Sequence, residues 1–441
     1  MTASFDRRTL LTGGIAASAA TLLPLDQVFA QRRRVSANDR LQVGLIGCKG
    51  MGWTNLTAML KGADVVPVAL CDVDARVLAE RGAELQKASG RTPRLYDDYR
   101  RMLDDRNVDA VIIATPDHWH ALQLIDALSA GKDAYCEKPL GNSIAECRAM
   151  VAAGERYGRV VQVGQWQRSN RHWGDAIDLI HGGGIGRVRK VKAWAYMGWM
   201  KRVELKPDQA APAGVDYDRW LGPAPARAFN PNRFHFSWRW YWDYAGGLMT
   251  DWGVHLMDIA LWGMKAGMPR SVSSLGGAYG YPGSAMQTPD TQTAIYDFGD
   301  YSVEWEHAVG IGHGPYGGRD HGVAFIGENG TLVVDRGEWQ VSPEISDGKP
   351  LTREIPVTKA SDDGIERHTA DFVACVKDRG RTPACPIGSA ATTAIVCQMG
   401  NVAWRTGRKV QWDAGTGQFR DDPAANALIT PRYRAPYRLP A

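Results

Sequence analysis

The feature that most constrains this chain is a glycine-rich turn set between an apolar run and a helix-forming stretch. Leu41-Gln42-Val43-Gly44-Leu45-Ile46 reads as a buried strand, Gly47-Cys48-Lys49-Gly50-Met51-Gly52 as the turn, and residues 54–60 as the helix that follows. Glycines there permit a tight reversal, a close backbone approach to pyrophosphate and packing of helix on strand, with the positive helix N-terminus facing the anion. The pattern approximates G-x-G-x-x-G. Lys49 takes the second glycine position, where either the backbone approaches less closely or the ammonium adds a phosphate contact.

Two more apolar runs, residues 65–70 and 108–114, end at Cys71-Asp72 and Thr115-Pro116, with helical patterns between them. Strands alternating with helices imply right-handed crossovers and a parallel, doubly wound sheet. It continues through Ala134-Tyr135-Cys136 into a helix opened by the capping box Ser143-x-x-Glu146. Asp72, twenty residues past Gly52, stands where a carboxylate accepts hydrogen bonds from an adenosine ribose. Its charge opposes a 2′-phosphate, which favours NAD over NADP, with Arg76 nearby as a cation that can compensate.

After about residue 165 the pattern changes. Strand-like segments at 188–196, 291–298, 301–307 and 322–327 predict a mostly antiparallel sheet, with a helix at 251–262 and another at 371–377 extended by 389–405. The expected fold is thus an α/β Rossmann domain followed by an α+β domain. The expected boundaries are residues 1–30 as an export signal, 31–40 as a basic arm, 41–164 and 165–413 as the two domains, and 414–441 as a tail that wraps a neighbouring subunit. The signal rests on Arg7-Arg8, the Ala-rich run 10–23 and Val28-Phe29-Ala30, a pattern like a twin-arginine leader. The run stops at Pro24, short of the ~20 residues a membrane span needs.

Fifty-two basic against 48 acidic side chains give a net charge of +4, too balanced for a nucleic-acid footprint. Seven cysteines without Cys-x-x-Cys pairs speak against a disulfide scaffold. Small molecules and other copies of the chain are the expected partners. His118-x-His120 lacks a third ligand at metal spacing, so no metal is expected.

The segments Ala114-Thr115-Pro116-Asp117-His118-Trp119-His120, Glu137-Lys138-Pro139 and Gly246-Gly247-x-x-x-Asp251-x-Gly253-x-His255, in this order after Gly47–Gly52, resemble signatures of the glucose-fructose oxidoreductase and inositol dehydrogenase (Gfo/Idh/MocA) family. The resemblance implies a nicotinamide and a sugar or cyclitol meeting between the two domains. It gives catalytic roles to Lys138, Asp251 and His255, and places Thr115, Pro116, His120 and Glu137 beside the nucleotide. Such roles suit the chemistry: His255, titrating near neutrality, would be the base, Lys138 would stabilise the developing alkoxide, and Asp251, one turn before His255, would orient the imidazole or bind hydroxyls. A cis bond before Pro139 is expected to aim Lys138. Ten of the sixteen tryptophans fall between residues 166 and 262. Flat rings suit the C–H faces of a pyranose, so Trp166, Arg168 and Arg239 are expected to contact substrate.

Three functions remain open at this point: a sugar oxidoreductase, a glycosidase using bound NAD for transient oxidation, and a non-catalytic sugar-binding protein. The intact Lys138, Asp251 and His255 set argues against the last. Export to the periplasm or beyond would leave free nicotinamide nucleotide scarce, so the cofactor is expected to be loaded before export and retained.

Overall fold

The computed structural model describes residues 40–62 and 64–440. The expected signal and all but the last residue of the basic arm lie outside them.

The first domain is a six-stranded parallel sheet in the order β3-β2-β1-β4-β5-β6, formed by β1 (Leu41–Ile46), β2 (Val65–Cys71), β3 (Arg94–Tyr96), β4 (Ala110–Ile113), β5 (Asp133–Cys136) and β6 (Val161–Val163). The order reverses between β1 and β4, which opens a crevice at their carboxyl ends. The strands were legible because sheets covered on both faces need continuous apolar runs: Leu41, Val43, Leu45 and Val111 to Ile113 are all fully buried. Ser143 caps the helix Ile144–Tyr157 by accepting the Glu146 N–H at 3.2 Å.

The second domain is built on a ten-stranded sheet. Its order is β16 (Ile355–Lys359), β13 (Glu338–Pro343), β12 (Gly330–Val334), β11 (His321–Gly327), β7 (Val188–Met197), β10 (Ser302–Val309), β9 (Thr291–Asp297), β8 (Ser271–Gly277), β17 (Val410–Asp413) and β18 (Gln418–Phe419). Pairing is antiparallel except between β7 and β10. A small hairpin, β14 (Ile345–Ser346) with β15 (Lys349–Pro350), stands apart from it.

Three expectations need correction. The helix expected over 251–262 is two, Leu248–Asp251 and Gly253–Gly263, separated at Trp252. The helix expected to run on from 377 is also two, Ile365–Lys377 and Ile387–Thr406, because Pro383 and Pro386 interrupt the backbone donors between them. The tail packs on its own chain: the Tyr433 hydroxyl donates to Glu146 at 2.5 Å, Arg434 donates to Asp218 at 2.6 Å, and Tyr437 meets Trp119 edge-on at 5.6 Å. All seven cysteines are free and buried. Among the described residues no helix is long and apolar enough to cross a membrane, and no group of three or more His, Cys, Asp or Glu is arranged to hold a metal ion.

Candidate active site

A cavity of about 410 Å³ runs from the Gly47 turn to Asp251. Its floor is the carboxyl end of the parallel sheet: Gly47 after β1, Asp72 after β2, Thr115 and Pro116 after β4, and Glu137 and Lys138 after β5. Its roof is a second-domain segment contributing Trp220, Phe234, His235, Phe236, Trp238 and Arg239.

The turn has the geometry of a dinucleotide cradle. Gly47 has φ +89°, and a Cβ there would lie 2.7 Å from the Ala114 carbonyl oxygen; one on Gly52 would lie 2.1 Å from that of Gly47. Lys49 adopts an extended conformation before the helix Gly50–Met59, whose first turn has no side-chain cap and leaves its N–H groups for an anion. Lys49, Gly50 and Met51 line the cavity. Cys48 does not: its thiol is fully buried, and its backbone N–H donates to Asp72 at 2.8 Å. Asp72 also accepts the Asp74 N–H at 3.0 Å, and both carboxylates line the same end. Burial raises the Asp72 pKa, partly offset by these two N–H donors. Arg76 is exposed, pairing with Glu80 at 3.0 Å and reaching Asp74 at 3.9 Å, so it stands beside this acidic end of the cavity.

His120 acts as a brace. Its Nδ1 lies 2.8 Å from the Pro139 carbonyl and its Nε2 2.8 Å from that of Thr115, tying together the loops after β4 and β5 without lining the cavity. Glu137 is buried and accepts from Asn55 at 2.7 Å, which ties the Lys138 loop to the nucleotide-binding helix. The Lys138–Pro139 peptide is cis.

Lys138 donates from Nζ to Asp251 Oδ1 at 2.8 Å and to the Asp251 carbonyl at 3.0 Å, bridging the two domains. Arg239 adds a contact from Nε to the same carboxylate oxygen at 3.3 Å while stacking on Trp238 and Phe236. Burial pushes the Asp251 pKa up, but Lys138 and Arg239 outweigh it and hold the carboxyl well below the usual range. Asp251 therefore serves Lys138 and Arg239; no hydrogen bond joins it to His255.

His255 is buried, and its pKa is driven well below 6.5 by burial, then by the charges of Lys138 and Arg336. The expectation of titration near neutrality is thus corrected to a ring that is neutral at physiological pH. Its Nδ1 is buried without a partner.

The structure does not bring Arg168 to the cavity. Nε and Nη2 donate to both oxygens of the fully buried Asp258 at 2.6 and 2.9 Å, and the guanidinium stacks on Trp262. Asp258 lies three residues after His255, so this pair fixes the helix that presents the imidazole. Trp166 and His255 both stand outside the lining of the cavity, their rings 6.1 Å apart, with His255 one helical turn beyond Asp251, which does line it. Of the run 238–242 only Trp238 and Arg239 face the cavity; Trp240 and Tyr241 are buried, and Trp242 stacks on Trp404.

Sequence reasoning passed over Asp117, which lines the cavity and whose pKa is raised well above the usual value by burial, against the pull of Lys138. It lay inside a quoted segment and so had a signal. Arg336, in the β12–β13 turn, had none.

Residues 41–165 match the profile of an oxidoreductase family described as an NAD-binding Rossmann fold, and residues 187–272 and 349–439 match that family's C-terminal alpha/beta domain. The inositol 2-dehydrogenase 2 of Saccharopolyspora erythraea is 34% identical over 191 residues, 41% of this chain and 53% of that one. A glycosyl hydrolase family 109 protein of a Shewanella species is 34% identical over 122 residues, 27% of each chain. The chain thus spans about half the length, or less, of the curated relatives it matches. The solved structure of a levoglucosan dehydrogenase with NADH superposes with a TM-score of 0.65 at 20% identity, covering 85% of this chain and 99% of that one, which establishes likeness of fold. With both of its domains matched in order, and with the glycine cradle and paired acids at its crevice, the chain belongs to the Gfo/Idh/MocA oxidoreductase family, with NAD as the cofactor its first domain is built to hold.

Proposed function

We propose that this protein is an NAD-dependent dehydrogenase that oxidises a secondary hydroxyl of a sugar, glycoside or cyclitol. The observation that carries the reading is the Lys138–Asp251 ion pair, which closes the nucleotide crevice from both domains at the far end from the glycine turn. The cradle of Gly47 and Gly52, with Asp72 and Asp74 at its ribose end, suits NAD, and when bound NAD supplies the hydride acceptor. Lys138 donates a hydrogen bond to the substrate oxygen and stabilises its developing negative charge. Asp251 keeps Lys138 aimed. His255, neutral at the start, accepts the hydroxyl proton. The inositol 2-dehydrogenase relative supports a polyhydroxylated ring as substrate class.

Incubation of the protein with NAD and a panel of sugars and cyclitols should produce NADH and the matching ketone, with turnover lost in His255→Asn. Failure of every member of the panel would refute the reading.

A second reading, glycoside cleavage through transient oxidation, is favoured by the family 109 relative. It predicts release of nitrophenol from nitrophenyl glycosides with no net NADH. We further infer export by a twin-arginine leader with NAD carried along. Lining of the crevice by Phe234, His235, Phe236 and Trp220 supports tight retention. Protein from a periplasmic fraction that loses all nucleotide on dialysis would sink that inference. Assembly into a homo-oligomer is part of the same reading and is tested by sedimentation.

A further inference from the structure

Two buried polar atoms beside the Lys138–Asp251 pair have no protein partner: His255 Nδ1 and Arg336 Nε. They share one aromatic recess. The Arg336 guanidinium lies 4.7 Å from the Trp166 ring and 4.3 Å from the Trp252 ring, and the same two rings lie 6.1 and 6.3 Å from the His255 imidazole.

Arg336 differs from Arg168, Arg379 and Arg319. Arg168 is matched by Asp258, Arg379 by Asp133 and Arg319 by Asp335, each through a carboxylate in ion-pair contact. Arg336 has only the neutral Gln167 amide oxygen, 3.3 Å from Nη2. The acids nearest it in effect are committed elsewhere: Asp251 to Lys138 and Arg239, and Asp320 to His321 at 2.6 Å. Burial depresses the Arg336 pKa to about 10, as a cation short of counter-charge requires. Two indoles offset part of that cost, but a guanidinium taken from water is stably held only against an anion.

We propose that Arg336 is the counter-charge for a carboxylate carried by the substrate, so that the preferred substrates are sugar acids, such as uronic or aldonic acids, rather than neutral sugars. This rests on the dehydrogenase reading above. The indoles cover the faces of the guanidinium, and its Nε is the edge atom left without a protein partner. A planar carboxylate meets a guanidinium edge in the plane with two parallel hydrogen bonds, and a phosphate, which can do the same, is the alternative the test separates.

The test uses the NAD-loaded enzyme with matched pairs: glucuronate against glucose, galacturonate against galactose, and glucose 6-phosphate as the phosphate arm. The acids should be preferred in kcat/KM by about ten- to a hundredfold, the range of a hydrogen bond to a charged group. Arg336→Met should collapse the acid-to-neutral ratio by a similar factor, and Arg336→Lys should restore part of it. Preference for the neutral or phosphorylated sugar would overturn the proposal, as would equal losses on both members of a pair in Arg336→Met, which would mark a purely positioning arginine. If no sugar is turned over, the dehydrogenase reading fails. Thermal stabilisation by glucuronate but not glucose, abolished in Arg336→Met, then still upholds recognition of the acid, and its absence overturns it.

Discussion

Replacing Lys138 with methionine removes the charge that holds Asp251 while keeping most of the side-chain volume. At 2.8 Å and an effective dielectric of about 20, the lost attraction is about 6 kcal/mol gross. Lys138 no longer needs desolvating, and Arg239 still meets the carboxylate at 3.3 Å, so the net cost should be about 2–4 kcal/mol, somewhat under the usual penalty for orphaning one member of a buried pair. The signature lies in the double variant. Lys138→Met with Asp251→Asn removes the orphaned charge and should recover more than half of the loss. The pH dependence has a fixed sign: Asp251 is held below its unfolded value of 3.8, so its stabilisation is complete above that value and is lost as pH falls through the lower folded one. The deficit of Lys138→Met should therefore be full at pH 7 and close in acid. Urea unfolding of the three proteins at several pH values measures all of this. If Lys138→Met unfolds like the wild type, or if adding Asp251→Asn destabilises it further, the electrostatic account of the pair is wrong. The single variant should also lose about a hundredfold or more in kcat while retaining NAD, because Lys138 acts on the reacting oxygen rather than on the nucleotide.

Other outcomes follow from the same geometry. Gly52→Ala should abolish NAD retention, since its Cβ would sit 2.1 Å from a backbone oxygen; Gly50→Ala, with φ +43° but open space around it, should cost only about 1 kcal/mol and keep the cofactor, as equilibrium dialysis and melting curves would show. Asp72→Ser should weaken NAD binding by about tenfold and improve NADP relative to NAD, measured by titration; unchanged selectivity would remove Asp72 from the ribose site. Arg168→Met should destabilise the protein by about 3–5 kcal/mol with Asp258→Asn in the same chain relieving much of it; a large rise in sugar KM at unchanged stability would instead return Arg168 to the substrate site.

The first domain was readable because its physics is local in sequence. A strand covered on both faces must be apolar along its length, and a turn with φ +89° against a neighbouring carbonyl must be glycine, so β1, β2, β4, β5 and the cradle announce themselves. The short strands β3, β13 and β17 did not, because each is half polar and takes its place from its neighbours.

Lys138, Asp251 and His255 could be picked out by motif, yet their roles depended on contacts no motif encodes. Lys138 and Asp251 are 113 residues apart, and which of Lys138, Arg239 or His255 claims the carboxylate was settled only when the two domains met. The same holds where expectation and structure part. Arg168 turned from substrate to Asp258, 90 residues away, because a buried carboxylate claims the nearest guanidinium; the tail turned inward because Glu146, 287 residues before Tyr433, offers it a buried acceptor. Sequence alone determined the nucleotide-binding fold, since burial and backbone sterics act residue by residue. Tertiary structure alone decided the charges at the reacting end, because desolvation and ion pairing depend on which distant side chains share the space, and it left Arg336 with a neutral amide in place of a carboxylate.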